Sequence, residues 1–588
     1  MRIKINKYSP LYNTIIEELK NEPPVLLAGS FISTWAPTLL PNGQQIAGDL
    51  FEVLFPQAIT QIDDAKNRYL KNIFHRVPFE HIFERCPNEQ AILEIIVQTF
   101  ALENWNQVHE VICRALANNQ LSHLITTNYD LCFDKVIQHF SYSNISRIVS
   151  EKDTILTSDL SQKIYFKIHG SAEPSLNDSI VFSLRHESLM PEWKRHLVTD
   201  LLSQKNLLVI GYSGLDFEIC PELLRIPVKR IIWNNFRDEF PSPNAERIIT
   251  QNPQNVLLVG DMRELISDLM EPVSPCYGQA VDNFVQEIQK KLNGDELTLW
   301  RLALLNSMGC PGIALRLVKF IEKQNQALAH QMAIQRQKAQ ALFHAGQYKN
   351  SARCFGQSAL FSLSSAIKAE SWLDACDAWR CYGAFYSSGK CLRKSIAAIR
   401  LIRDKTRKKR TLGKVHLKRV LLFRQLYQLS RPFKHLRRFI QKRCEYDLRI
   451  ASKIALETGN WFEFQQIRWW AERLEIDSIN LADHSHYEAP PAKSGYDQLG
   501  YHIAQSGVFR DQLRRNVYPL EDAERDALNR HLKNCQQFEN YPELWKLLFL
   551  KLKHDRQNWL ATFGKFVYYF VKCQYRPLMR VFQIGSGG

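Results

Sequence analysis

Four short polar clusters, far apart in the chain, each follow an apolar run. They are Gly29-Ser30-Phe31-Ile32-Ser33, Thr126-Thr127-Asn128-Tyr129-Asp130, His169-Gly170 and Gly211-Tyr212-Ser213-Gly214-Leu215-Asp216. Each residue type suits a different task. A Gly-Ser turn before a helix can offer backbone N–H groups to a pyrophosphate. The Asn128 amide donates and accepts at once, so it can hold a hydroxyl or a water. His169 carries an imidazole whose unperturbed pKa of about 6.5 suits a general base. Local readings exist beside these: Asp130 can cap the helix that follows it, and a lone histidine at a strand end can be a satisfied polar residue.

Such residues act together only if something brings them to one place. The runs before them, Val25 to Ala28, Leu121 to Thr126, Ile164 to Ile168 and Leu207 to Ile210, read as buried strands, as do Arg230 to Trp233 and Val256 to Val259. Helical stretches such as Gln90 to Leu102 and Asp130 to Phe140 lie between them. Strands alternating with helices predict an α/β, Rossmann-like, doubly wound parallel sheet over residues 1–272. Nucleotide ligands in such sheets bind outside the carboxyl ends of the strands, which is where all four clusters fall.

Pro272-Val273-Ser274-Pro275 reads as the break, and 273–588 as an all-α domain, either tetratricopeptide-like or a plain bundle. Two stretches suggest helical hairpins: Ala341 to Phe343 with Gly346, Tyr348, Ala352, Phe355 and Ala359, then Trp379, Tyr382-Gly383, Tyr386 and Gly389. In such hairpins small residues let helices approach and aromatics fill the gaps between them. Glu488 to Gly495 reads as a loop, and the aromatic-rich Asn558 to Phe582 as a buried closing helix.

The net charge of +16 is concentrated. Between Arg393 and Lys453, 21 lysines and arginines stand against Asp404, Glu445 and Asp447, so the rest of the chain is close to neutral. The block predicts an anionic partner, nucleic acid or an acidic protein, or else a solvated helix face. Thirteen cysteines without a C-x-x-C fit free thiols of a reducing cytoplasm. The apolar runs are too short to span a bilayer, and the first residues lack the apolar core of a signal peptide.

In order and spacing the four clusters resemble the NAD-binding domain of sirtuins, over roughly residues 20–265. The form T-T-N-Y-D, with Trp35-Ala36-Pro37 after the first loop, is similar to sirtuin-like NAD hydrolases of bacterial antiphage defence. The resemblance implies that Asn128 and His169 are catalytic. It implies that Gly29, Ser30, Ser33, Asp130, Gly211, Ser213 and Asn234 bind NAD, the substrate. Further implications are abortive infection by NAD depletion, a helical sensor or assembly half, an oligomer, and a phage component or partner protein as trigger.

Two departures bear on this. Sirtuin deacylases carry a four-cysteine zinc module after the catalytic histidine, whereas this chain has no cysteine between His169 and Gly211. Hydrolysis without zinc is therefore expected rather than deacylation. Phe31 stands where the family usually has a second glycine, and its side chain is expected to crowd the phosphate path or force the loop to move. A catalytically degenerate scaffold that binds nucleic acid or a partner is the alternative.

Overall fold

A computed structural model describes residues 4–56, 79–156, 162–183, 190–216, 218–274, 283–322, 328–429 and 434–457, with isolated residues elsewhere. The chain divides into two compact units, the first built on Met1–Val53 and Phe74–Asn293, the second on Gly294–Ser485.

Among the described residues the first unit holds eight strands: β1 (Lys4–Asn6), β2 (Val25–Ala28), β3 (His123–Thr126), β4 (Ile145–Ile148), β5 (Lys163–Lys167), β6 (Asn206–Ile210), β7 (Arg230–Asn235) and β8 (Val256–Val259). They form one sheet in the order β1-β8-β7-β6-β2-β3-β5-β4, and every pairing is parallel. A parallel sheet needs cover on both faces, and side chains alternate between them. Leu26, Leu124, Tyr165, Leu208, Ile232 and Leu258 join one core, with the helices Pro10–Asn21, Gln107–Ala117, Cys132–His139 and Met262–Leu269. Val25, Ile125, Phe166, Val209, Trp233 and Leu257 join the other, with Glu192–Leu202, Ile219–Leu223 and Pro243–Gln251. Fully burying each such side chain contributes roughly 1.5–3 kcal/mol. The fold is thus the α/β, Rossmann-like sheet expected.

The two strands not foreseen are the edges, β1 and β4. Their sequences, Lys-Ile-Asn and Ile-Ser-Arg-Ile, mix polar and apolar residues because an edge strand is only partly covered. Beyond the Pro272 break, the helix Asn283–Lys291 still packs on Glu89–Phe100, with Lys291 Nζ 2.8 Å from Glu94 Oε2.

The second unit is helical, as expected, and its successive helices pack on one another. Leu328–His344 and Tyr348–Phe361 form the first hairpin, and Ser365–Tyr382 and Phe385–Arg400 the second, turned by Gly383 at φ +88°. Buried Ala339, Ala352, Ala369 and Ala378 let the helices approach. Fully buried serines then tie them together: Ser351 Oγ donates to Ala339 O at 2.7 Å, Ser388 to Cys376 O at 2.8 Å and Ser395 to Ala369 O at 2.9 Å. Two expectations fail here. Tyr386 is 79% exposed and fills no gap, and a Cβ on Gly389 would meet open space, so no close approach requires that glycine. Glu488 to Gly495 and Asn558 to Phe582 lie outside the described residues.

Part of the basic block is neutralised by acids that a local count does not see. Lys414 reaches Glu370, Lys418 reaches Asp377 and Lys409 reaches Glu457, all outside Arg393–Lys453. Asp447, fully buried, takes His416 Nδ1 at 2.8 Å and Arg419 at 3.3 Å. Exposed basic residues remain, among them Arg393, Arg400, Arg403, Lys405 and Arg407 at and around the turn between Phe385–Arg400 and the next helix, Lys405–Leu429, and Arg438, Lys442 and Arg449 in Lys434–Glu457. Among the described residues no helix is long and apolar enough to cross a membrane.

Candidate functional site

One register line runs across four adjacent strands, β6, β2, β3 and β5. Ile210 pairs with Ala28, Ala28 with Thr126, and Thr126 with Lys167. All four clusters therefore leave the sheet at the same level. Asn128 and His169, each two residues beyond its strand's partner on this line, emerge from adjacent strands. The chain order reverses at β2, with β3 on one side and β6 on the other, so this edge is also the topological switch point.

The first and last clusters meet there backbone to backbone. Gly29 N–H donates to Ile210 O at 2.9 Å and Phe31 N–H to Gly211 O at 3.2 Å. A Cβ on Gly29 would lie 2.3 Å from Gly211 O. Residues Ser30–Thr34 form a single 3-10 turn. The Phe31 ring is 45% exposed and stands edge-on to Trp35 at 5.8 Å.

Ser33 is the hub of the buried network behind this turn. His109 Nδ1 accepts the Asn106 backbone N–H at 3.3 Å, so its proton sits on Nε2, 3.1 Å from Ser33 Oγ. Burial lowers His109 to about 4, against the pull of Asp130, and keeps it neutral. Ser33 Oγ donates to Asp130 Oδ2 at 2.8 Å and accepts Asn128 Nδ2 at 3.1 Å. Asp130 Oδ1 takes the Cys132 N–H at 3.1 Å and so caps the helix that follows. Ser33, bonded in turn by Asp130, thus holds the Asn128 amide nitrogen. The Asn128 Oδ1 is left buried with no hydrogen-bond partner, and a buried polar atom in that state calls for an explanation.

His109, Asp130 and Cys132 also bring three potential metal-ligand atoms within 4.8 Å of one another. Ser33 already bridges two of them, and burial pushes the Cys132 thiol well above its ordinary value. That is a hydrogen-bonded cluster with a protonated thiol, and we assign it no metal.

Lys167, completely buried, fastens the Asn128 turn from below. Its Nζ donates to the carbonyls of Tyr129 and Asp130 and lies 3.1 Å from Asp134 Oδ2. Burial pushes the Asp134 carboxyl up, but Lys167 and Arg147 outweigh it and hold it below its ordinary value.

His169 sits in a second charged pocket that sequence reasoning missed. Its Nε2 lies 3.5 Å from Glu218 Oε2, and neither atom has a hydrogen-bond partner. Lys194 Nζ binds Glu218 Oε1 at 3.1 Å and the Ile168 carbonyl. Burial, with Lys194 nearby, lowers His169 to about 3, so the ring is neutral at pH 7. Gly170, at φ +89°, follows in a turn where a Cβ would lie 2.2 Å from Ser179 O. Lys194 and Glu218 carry no motif; only their nearness in space identifies them.

Of the remaining expected residues, Ser213 is exposed and Gly211 has φ +61°. Their loop is braced by Ser242 and Asn244, both donating to Gly214 O at 2.9 Å, and by Trp233, whose indole donates to Tyr212 O at 3.2 Å. Asn234 uses its amide nitrogen on Leu258 O and Gly260 O at the end of β8. Asp216 accepts the N–H of Glu218 and Ile219, starting the helix that carries Glu218 at its head.

Residues 122–223 match the family model of the SIR2-like domain. Over that segment the chain is similar to the SIR2-like domain. The match runs from β3 through the helix Ile219–Leu223, so the SIR2-like segment includes Asn128, Asp130, His169, Gly211, Ser213, Lys194 and Glu218. The Gly29 to Ser33 turn lies before it and Asn234 after it; both join it through neighbouring strands. Such domains are often NAD-utilising. No curated protein matches the chain.

Proposed function

We propose that this sheet edge hydrolyses the nicotinamide–ribose bond of NAD. The observation that carries the reading is the Asn128 amide: its nitrogen is tied to Ser33, and its Oδ1 is buried without a partner on the strand next to His169. An atom that can only accept suits a ribose hydroxyl or the attacking water. Cleavage builds oxocarbenium character on the ribose. Asn128 Oδ1 orients the water, and His169, neutral at pH 7, takes a proton from it or from a ribose hydroxyl. Asp130 acts in this reading through Ser33, by keeping the amide turned. With no cysteine between His169 and Gly211 for a zinc lobe, hydrolysis is favoured over deacylation.

In the same reading the protein is a cytoplasmic abortive-infection effector of antiphage defence, gated by the helical half through oligomerisation on a phage component or partner. The purified full chain, incubated with NAD with and without nucleic acid or phage lysate, should release nicotinamide and ADP-ribose under at least one condition. Silence under all of them supports the degenerate scaffold instead.

The exposed basic turn favours nucleic-acid binding in either case. Affinity for duplex DNA should fall with salt, each neutralised phosphate adding roughly −0.9 to the slope of log K against log [salt]. The fourfold variant R400E/R403E/K405E/R407E should flatten that slope by about 3.6. An unchanged slope means that these residues face solvent alone.

A further inference from the structure

We infer that Glu218 is the positioning residue of His169, accepting the proton on Nε2 so that Nδ1 is the nitrogen offered to the reaction. Two buried atoms without partners face each other at 3.5 Å, His169 Nε2 and Glu218 Oε2. Only opposite hydrogen-bonding roles make that pairing favourable. With the imidazole proton on Nδ1, two lone pairs would point at each other in an interior where unpaired polar atoms cost about 1–3 kcal/mol each.

The direction of the pair follows from Lys194. Its ammonium binds the other Glu218 oxygen at 3.1 Å and is anchored to the carbonyl of Ile168, the residue before His169. Burial raises the Glu218 carboxyl above its ordinary value, and the ammonium in direct contact with it opposes that rise and favours the charged form. Ionised, Glu218 can only accept, so Nε2 carries the hydrogen. The same negative charge then stabilises the imidazolium when Nδ1 takes up its proton. The backbone supports the arrangement: Asp216 accepts the Glu218 N–H at 3.1 Å and fixes where its side chain starts.

The catalytic half of this inference rests on the NAD-hydrolase reading, whereas the tautomer does not. Selective 15N-histidine NMR of the full chain at pH 7, assigned with His169→Ala, should show a neutral ring protonated on Nε2. Glu218→Gln should shift the population toward the Nδ1 form. The same variant should lower kcat by about 10²-fold with KM within about twofold, and should add nothing in a His169→Ala background. A wild-type ring protonated on Nδ1 overturns the inference, as does a variant with unchanged tautomer or a further loss on top of His169→Ala. Should the wild-type chain release no nicotinamide, the NAD reading falls and the spectrum still decides the tautomer. The wild-type spectrum also decides if Glu218→Gln does not fold.

Discussion

His169→Ala should lower nicotinamide release by about 10³-fold or more, the upper part of the range for losing a general base that also helps place the nucleophile. The reasoning is geometric. His169 and Asn128 emerge at one level from adjacent strands, and each shows a buried polar atom without a partner. The alanine variant should keep its fold, because the backbone around position 169 is held independently: Val181 N–H donates to His169 O at 2.9 Å, and the turn at Gly170 closes against Ser179. Melting should therefore move by only a few degrees while turnover disappears. Asn128→Ala should act at the same step, since it removes Oδ1. Full turnover in His169→Ala, measured as nicotinamide released per enzyme, would remove the imidazole from the mechanism.

The second large effect concerns stability. Lys167→Met should destabilise the first unit by roughly 3–5 kcal/mol, the cost of leaving a buried charge without its partner. At about 2–4 °C per kcal/mol for a unit of this size, that is a fall in Tm of roughly 6–20 °C. Lys167 is fully buried, lies 3.1 Å from Asp134 and donates to two carbonyls of the turn that carries Asn128 and Asp130. Arg147 still reaches Asp134 in the variant, which places the loss toward the lower end. The pH dependence has a definite sign. Asp134 titrates below its ordinary value in the folded state, so its contribution is present above an unfolded pKa of about 3.9 and is lost as pH falls through the folded value. The acid-side loss of stability should be shallower in Lys167→Met. A variant with wild-type Tm and an unchanged acid limb would show that Arg147 alone neutralises Asp134.

Much of this architecture was legible in order along the chain. Six of the eight strands are continuous apolar runs, because a strand covered on both faces has no polar side to show. The polar clusters at their ends mark the carboxyl edge for the same reason: only there does the sheet stop excluding polar groups. The two edge strands escaped because partial cover lets Lys4, Asn6, Ser146 and Arg147 into them. The basic block was legible as a count but not as a surface. Its neutralising acids, Glu370, Asp377 and Glu457, come from other stretches of the chain.

The sequence by itself determined the sheet, the positions of Asn128 and His169 at strand ends, and the absence of a cysteine lobe after His169. Roles within the site were decided only by tertiary structure. Ser33 bonds Asn128 and Asp130 bonds Ser33, Asn234 ties β7 to β8, and the Phe31 ring is half-exposed. His109, Lys194 and Glu218 entered the site from helices with no signature of their own. Periodicity reports which residues a strand or helix buries. Which buried polar atom pairs with which depends on distances between segments that the fold alone brings within 3 to 4 Å, and that is where the chemistry of Asn128 and His169 is set.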